Sequence, residues 1–147
     1  MERLVSIITP TYNSAKYIAE TIKSVQNQTH QNWEWIIIDD GSSDETEQII
    51  KRFVEKDNRI QFHKLEKNSG PAIARNTGIE KAIGDFMTFL DADDIWFPNF
   101  IENSIASIKK ANVPFVFSSY RRSNENLEFV YSDFIVPNKV TYTDILK

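Results

Sequence analysis

Apolar runs and helical stripes alternate from Leu4 to Ile108, and this alternation limits the available folds more than any other feature of the chain. Residues 4–9 (LVSIIT) are rich in β-branched side chains and read as a strand. After PTYNS, Ile18, Ile22 and Val25 recur at i, i+4 and i+7, the spacing of one helix face. Residues 34–39 (EWIIID) give a second strand. The stretch SSDETEQIIKRFVEKD then opens a second helix. Asp44 and Glu47 stand three apart there, as in a capping box, with Ile49, Ile50, Phe53 and Val54 as the apolar face.

Residues 60–65 (IQFHKL) alternate as a third strand. In the following region Pro71 suits a first helical turn and Gly84 a C-terminal stop. Residues 86–90 (FMTFL) form a fourth strand, and a helix from about Pro98 carries Ile101, Ile105 and Ile108 on one stripe. Residues 115–120 (FVFSSY) read as a fifth strand, and LEFVYSDFIVPNKVTY as short strands with a hairpin.

Strict alternation implies parallel neighbours joined by right-handed crossovers. Strands this apolar belong in a sheet covered on both faces. The expected architecture is an α/β three-layer sandwich with a mostly parallel central sheet. A chain of 147 residues, 41% hydrophobic, is enough for one core, so a single domain over 1–147 is expected.

Bulk properties exclude several classes. A formal charge of −4 does not suit a general nucleic-acid binder. Cysteine is absent, which excludes disulfides and thiolate metal sites and fits a reducing compartment. His30 and His63 are too far apart for a metal-ligand pair. No stretch approaches the roughly 18 apolar residues of a membrane span, and the opening MERLVSIITP is too short in apolar core for a signal peptide.

The unusual residues fall at strand ends. PTYN follows the first strand, DDGSSD the second and DADD the fourth, which places all three on the carboxyl edge of a parallel sheet. Open α/β sheets bind ligands along that edge. Two of the motifs also have plain structural readings. DDGSSD is ordinary turn and cap chemistry, with Gly41 permitting positive φ, and PTYN is a loop in which Tyr12 packs on a neighbour. Asp91, Asp93 and Asp94 resist such a reading, because a helix cap near Pro98 occupies one carboxylate and not three. Hard cations such as Mg²⁺ and Mn²⁺ favour carboxylate oxygens, and Mg²⁺ keeps its remaining positions for water and substrate phosphates. Asp40 can accept a hydrogen bond from a nucleobase imide, Tyr12 offers a stacking face, and Arg75, early in the third helix, can meet phosphate charge. Together these parts describe a nucleoside-diphosphate site.

The run from VSIITPTYNS to DDGSSDETEQII, followed by NSGPAIARNTGIEKAIGDFMTFLDADD, resembles family 2 glycosyltransferases of the GT-A, Rossmann-like nucleotide-diphospho-sugar transferase fold. The likeness covers residues 4 to about 120. It implies inverting transfer of a sugar from a nucleotide-diphosphate donor, with UDP favoured, to a saccharide or lipid-linked acceptor in polysaccharide or glycoconjugate synthesis. By motif position Pro10, Tyr12 and Asp40 would hold base and ribose, and Arg75 would neighbour the diphosphate. Asp91 and Asp93 form the Asp-x-Asp pair for Mn²⁺ or Mg²⁺. Asp93 is the expected direct ligand, and Asp91 faces ribose or sugar; Asp94 receives no ligand role.

The resemblance also implies a general base downstream of that pair, and no catalytic residue is identified. Glu125, Glu128, Asp133 and Asp144 stand in no recognisable acceptor motif. Since family members are usually longer, the chain is expected to be the donor-binding part of a longer enzyme. The alternative is a non-catalytic nucleotide-sugar-binding fragment. A sugar nucleotidyltransferase would need a Gly-rich basic loop after the first strand, where TPTYNS offers only the nearby Lys16. A haloacid-dehalogenase-type phosphatase would carry Asp-x-Asp after the first strand, not the fourth. The expected location is cytoplasmic, peripheral to the membrane in a full-length protein. Phe134, Ile135, Val136 and Ile145 suggest an apolar patch able to self-associate.

Overall fold

The computed structural model describes residues 2–124, 126, 128–130 and 132–135. Four strands, β1 (Val5–Thr11), β2 (Trp33–Asp39), β3 (Ile60–Lys64) and β4 (Phe86–Phe89), alternate with helices α1 (Ile18–Gln26), α2 (Thr46–Val54), α3 (Pro71–Lys81) and α4 (Phe100–Ala111). The sheet order is β3-β2-β1-β4, and every pairing is parallel. The chain divides into two compact units, Met1–Glu102 and Asn103–Lys147, and the sheet lies in the first.

The register shows how the sheet is covered. Ile8 pairs with Ile36 and Pro10 with Ile38, so these side chains share one face. On that face α3 packs against β1 and β2, and Ile36, Ile38 and Ala74 form a fully buried cluster. Gly78 permits the close approach, because a Cβ there would lie 2.5 Å from Ile8 Cγ2. On the other face Ile7, Trp35 and Ile37 are just as buried, and the Trp35 indole N–H donates to Thr9 Oγ1 at 2.9 Å. The Ile18, Ile22 and Val25 stripe of α1 has no exposure, and α1 packs beside α2. The apolar strands and the i, i+4, i+7 stripe therefore do what their patterns demand.

Four details differ from the pattern. β1 runs two residues further than 4–9 and includes Pro10. Its pairing with β4 ends at Ile8↔Phe89, so no ladder bond on that side needs the N–H that Pro10 lacks. The capping box does not form. Asp44 accepts from the Thr46 N–H, but Glu47 turns to the ammonium groups of Lys51 and Lys64, each at 2.6 Å. Two cations outcompete one backbone amide.

Gly84 is not the stop of α3, whose last turn ends at Ala82 in extended conformation. It serves instead a close backbone approach, since a Cβ there would stand 2.7 Å from the Ser6 nitrogen. Residues 115–120 are not a fifth strand: the only pairing there is an isolated antiparallel bridge, Tyr120↔Phe134. Strand character needs a neighbour, and Phe115 and Phe117 remain largely exposed without one.

The second unit reverses the chain through that bridge and a second, Ser123↔Phe129, with Tyr120 stacked on Phe134. Most of the hairpin expected over 127–142 falls outside the described residues. Phe134 and Ile135 are exposed, while Val136 and Ile145 lie outside the described residues.

Candidate functional site

The carboxyl ends of β1 and β2 are fastened to each other by side chains that cap backbone amides. Asp39, fully buried, accepts from the Ser42 N–H at 3.1 Å and from the Ser42 hydroxyl. Ser42 Oγ in turn accepts from the Asn13 N–H at 2.9 Å. Asn13 takes the left-handed conformation (φ 48°), which asparagine tolerates better than most residues, and its side-chain oxygen accepts from Ser43 N–H at 2.9 Å. Ser14 N–H donates to Thr46 Oγ1 at 2.7 Å and Ala15 N–H to Asp44 Oδ2 at 3.1 Å. Tyr12, 51% exposed, thus projects from a loop whose backbone is held at three successive residues.

Asp40 belongs to the same stitching. Only 3% exposed, it accepts from Ser69 N–H at 2.7 Å and Gly70 N–H at 2.8 Å, the two residues that lead into α3. Its own N–H donates to Thr11 carbonyl at 2.8 Å. One buried carboxylate therefore ties the end of β2 to the start of α3, next to the positive end of that helix. Gly41 (φ +81°) sits against this loop, where a Cβ would meet Asn68 nitrogen at 3.1 Å.

The third segment is a turn. Leu90 N–H donates to Ile8 carbonyl, and Asp94 N–H closes back on Asp91 carbonyl, both at 3.1 Å. Asp91, Asp93 and Asp94 are all exposed. Arg75 Nη2 donates to Asp91 Oδ1 at 2.6 Å, an ion pair open to solvent. Partial desolvation, then the like charges of Asp93 and Asp91, push the Asp94 carboxyl above the usual carboxylate range.

These segments enclose a cavity of about 400 Å³, within the size range of small-molecule sites. Pro10, Tyr12, Asp40, Arg75, Asp91 and Asp93, all singled out from the sequence, line it together. So do Thr11, Tyr17 and Asn68, which sequence reasoning passed over. Asn68 was within reach of the same strand-end rule, since it follows β3 as the other motifs follow their strands. Thr11 carries a signal visible only in three dimensions: its hydroxyl is buried and has no hydrogen-bond partner among the described residues.

Among the described residues no three acidic or histidine side chains gather into a metal cage. Two carboxylates on one turn suit the other kind of hard-cation site, in which the protein gives one or two ligands and phosphate and water complete the shell. Of the acids considered as proton acceptors, Glu125 and Asp144 lie outside the described residues. Glu128 accepts from Asn124 at 2.8 Å, and Asp133 pairs with Arg121 at 2.8 Å.

Residues 6–145 match the sequence profile of Glycosyl transferase family 2. The chain belongs to that family. The family 2 chain is 42% identical over 144 residues to the UDP-Glc:alpha-D-GlcNAc-diphosphoundecaprenol beta-1,3-glucosyltransferase WfgD of Escherichia coli, covering 98% of this chain and 55% of WfgD. It spans about half the length of the curated relatives it matches. Among solved structures, S. aureus TarS 1-349 in complex with UDP-GlcNAc superimposes with TM-score 0.69 at 36% identity, covering 74% of this chain and 32% of that one. The mannosyltransferase PcManGT from Pyrobaculum calidifontis, in complex with GDP-Man and Mn²⁺, gives TM-score 0.69 at 26% identity, covering 74% and 33%. The GT-A fold expected from the sequence is thereby shown.

Proposed function

We propose that this chain is the donor-binding part of an inverting glycosyltransferase that takes a UDP-sugar with Mn²⁺ or Mg²⁺ and serves a saccharide or lipid-linked acceptor. The observation that carries the reading is the convergence of Pro10, Tyr12, Asp40, Arg75, Asp91 and Asp93, from three strand ends and one helix, on a single cavity. Its support from similarity is the UDP-Glc and diphosphoundecaprenol in the name of WfgD, the UDP-GlcNAc of TarS and the GDP-Man and Mn²⁺ of PcManGT. A lipid-linked acceptor would place the whole protein at a membrane surface. Among the described residues no helix is long and apolar enough to cross one.

The geometry supports the following division of labour. Tyr12 supplies the stacking face for the base, and Asp40 keeps lone pairs for an imide N–H beyond those used by Ser69 and Gly70. Arg75 leaves Asp91 to meet the diphosphate, a charge-assisted contact. Asp93, with Asp91 beside it, holds the cation, which supplies Lewis-acid neutralisation of charge developing on the leaving diphosphate. These acids work on the donor side, so another segment takes the acceptor's proton as its hydroxyl attacks the anomeric carbon.

Calorimetry with UDP and with uridine, each in Mn²⁺ or in chelator, tests the proposal. UDP binds more tightly with Mn²⁺ and uridine is indifferent to it. Asp93→Asn removes the Mn²⁺-dependent gain for UDP and leaves uridine nearly unchanged. A variant that keeps the full gain would falsify the role given to Asp93.

A further inference from the structure

The Asp91–Asp94 turn presents its carboxylates to solvent, yet the residue between the first two is buried. Ala92 is 6% exposed, and its carbonyl accepts from the hydroxyl of Thr21 on α1 at 2.9 Å, across 71 residues of sequence. Thr21 is itself 1% exposed. A threonine inside a helix commonly turns its hydroxyl back to a carbonyl three or four residues earlier. This one donates outward instead.

Thr21 begins a row. Ser24, one turn on, accepts from Trp96 N–H at 3.2 Å. Gln28, two residues past the end of α1, donates to Phe97 carbonyl at 2.8 Å and accepts from Ile101 N–H at 3.1 Å. A spacing of three places Thr21 and Ser24 on one side of the helix, and Gln28 continues the row beyond its end. The segment from Ala92 to Ile101 is thus laid along α1 by hydrogen bonds, and its first fastening point is the peptide between the two cavity carboxylates.

We infer that Thr21 is a positioning residue for the Asp91–Asp94 turn, fixing the peptide of Ala92 so that Asp91 and Asp93 face the cavity together. The inference rests on the donor-site reading given above. The turn is closed by one internal backbone bond, Asp94 N–H to Asp91 carbonyl, which does not engage its central peptide. The Thr21 hydroxyl bonds that peptide's carbonyl from outside the turn. Groups that orient metal-binding side chains without touching the metal commonly change its affinity by roughly 10- to 100-fold when lost.

The test uses Thr21→Val, which keeps shape and loses the hydroxyl, and Thr21→Ser, which keeps the hydroxyl. In Thr21→Val the gain in UDP affinity on adding Mn²⁺ falls about tenfold or more, while uridine affinity in chelator stays at the wild-type value. Thr21→Ser restores the gain. Amide hydrogen exchange reads the tether with no ligand present: in Thr21→Val the Asp94 amide exchanges faster, and amides of Ile36 to Ile38 do not. An undiminished Mn²⁺ gain in Thr21→Val overturns the inference. So does loss of uridine binding in Thr21→Val that Thr21→Ser fails to restore, the mark of a packing role alone. A wild-type chain whose UDP affinity ignores Mn²⁺ refutes the metal reading and not the tether, which the exchange rates decide by themselves.

Discussion

The end of β2 and the turn after β4 both carry clustered aspartates beside one cavity, and the two treat them in opposite ways. Asp39 and Asp40 are buried and held by donors from Ser42, Ser69 and Gly70. Asp91, Asp93 and Asp94 are exposed, with Arg75 the only cation paired to any of them among the described residues. A buried carboxylate is tolerated only when hydrogen bonds replace its water. The β2 loop meets that condition with the chain's own amides. The β4 turn leaves its carboxylates to solvent, and thus to whatever ligand arrives. On the proposed reading, one end of the cavity is built before binding and the other is completed by it.

The contrast is most severely tested at Asp40. Asp40→Ala strips two half-buried amides of their acceptor and lowers stability by about 3 kcal/mol, read from denaturant midpoints. Uridine and UDP affinities fall together. A variant as stable as wild type would erase the distinction between the two regions.

Asp44→Ala is next in size. It removes the acceptor for Thr46 N–H at the start of α2 and for Ala15 N–H, with an expected loss of about 1 kcal/mol. In the β4 turn the equivalent loss should be absent: Asp91→Asn changes stability by less than about 0.5 kcal/mol. Its effect is on ligand. With chelator present, freeing Arg75 from a solvent-exposed ion pair worth about 0.2–1 kcal/mol tightens UDP binding by up to about fivefold. Weaker metal-free binding in Asp91→Asn would show that Arg75 needs Asp91 to stay in place.

The smallest effect is one of sign. Desolvation would raise the Asp44 carboxyl, but hydrogen bonds from Thr46 and Ala15 outweigh it and hold the group below 3.8. Its stabilisation is complete above that value and is lost as pH falls through the lowered one. Asp94 is shifted the other way, so without a cation its ionisation opposes folding above the raised value, and acid relieves the penalty. Acid melts of Asp44→Asn and Asp94→Asn in chelator should therefore depart from wild type in opposite directions: Asp94→Asn is more stable than wild type near neutrality, and Asp44→Asn less.

Much of this was legible because the signals are local. β-branched runs and the Ile18, Ile22, Val25 stripe declare their elements within a few residues, and a parallel sheet turns strand order into one shared edge. That rule alone assembled Pro10, Asp40 and Asp91 without any distance being known. What stayed hidden depends on partners remote in sequence. Asp40 has a second task at Ser69 and Gly70, Thr21 reaches Ala92, and Glu47 abandons its cap for Lys64. Residues 115–120 have the composition of a strand, but composition cannot supply a neighbour.

Gly78 lies one turn beyond Arg75 on α3 and in contact distance of Ile8. Anyone wishing to toughen this protein would be drawn to it, because replacing a mid-helix glycine by alanine ordinarily gains up to about 1 kcal/mol of helix propensity. Here the recipe inverts. A methyl 2.5 Å from a β-branched carbon that is itself locked in the core lifts the helix off the sheet. Arg75 rides on that helix, so the displacement is delivered to the guanidinium that spans the cavity to Asp91. The spacing between two layers of backbone therefore acts as the calibration of a charge in the site, and hardening the scaffold at this position would detune the group proposed to meet the ligand.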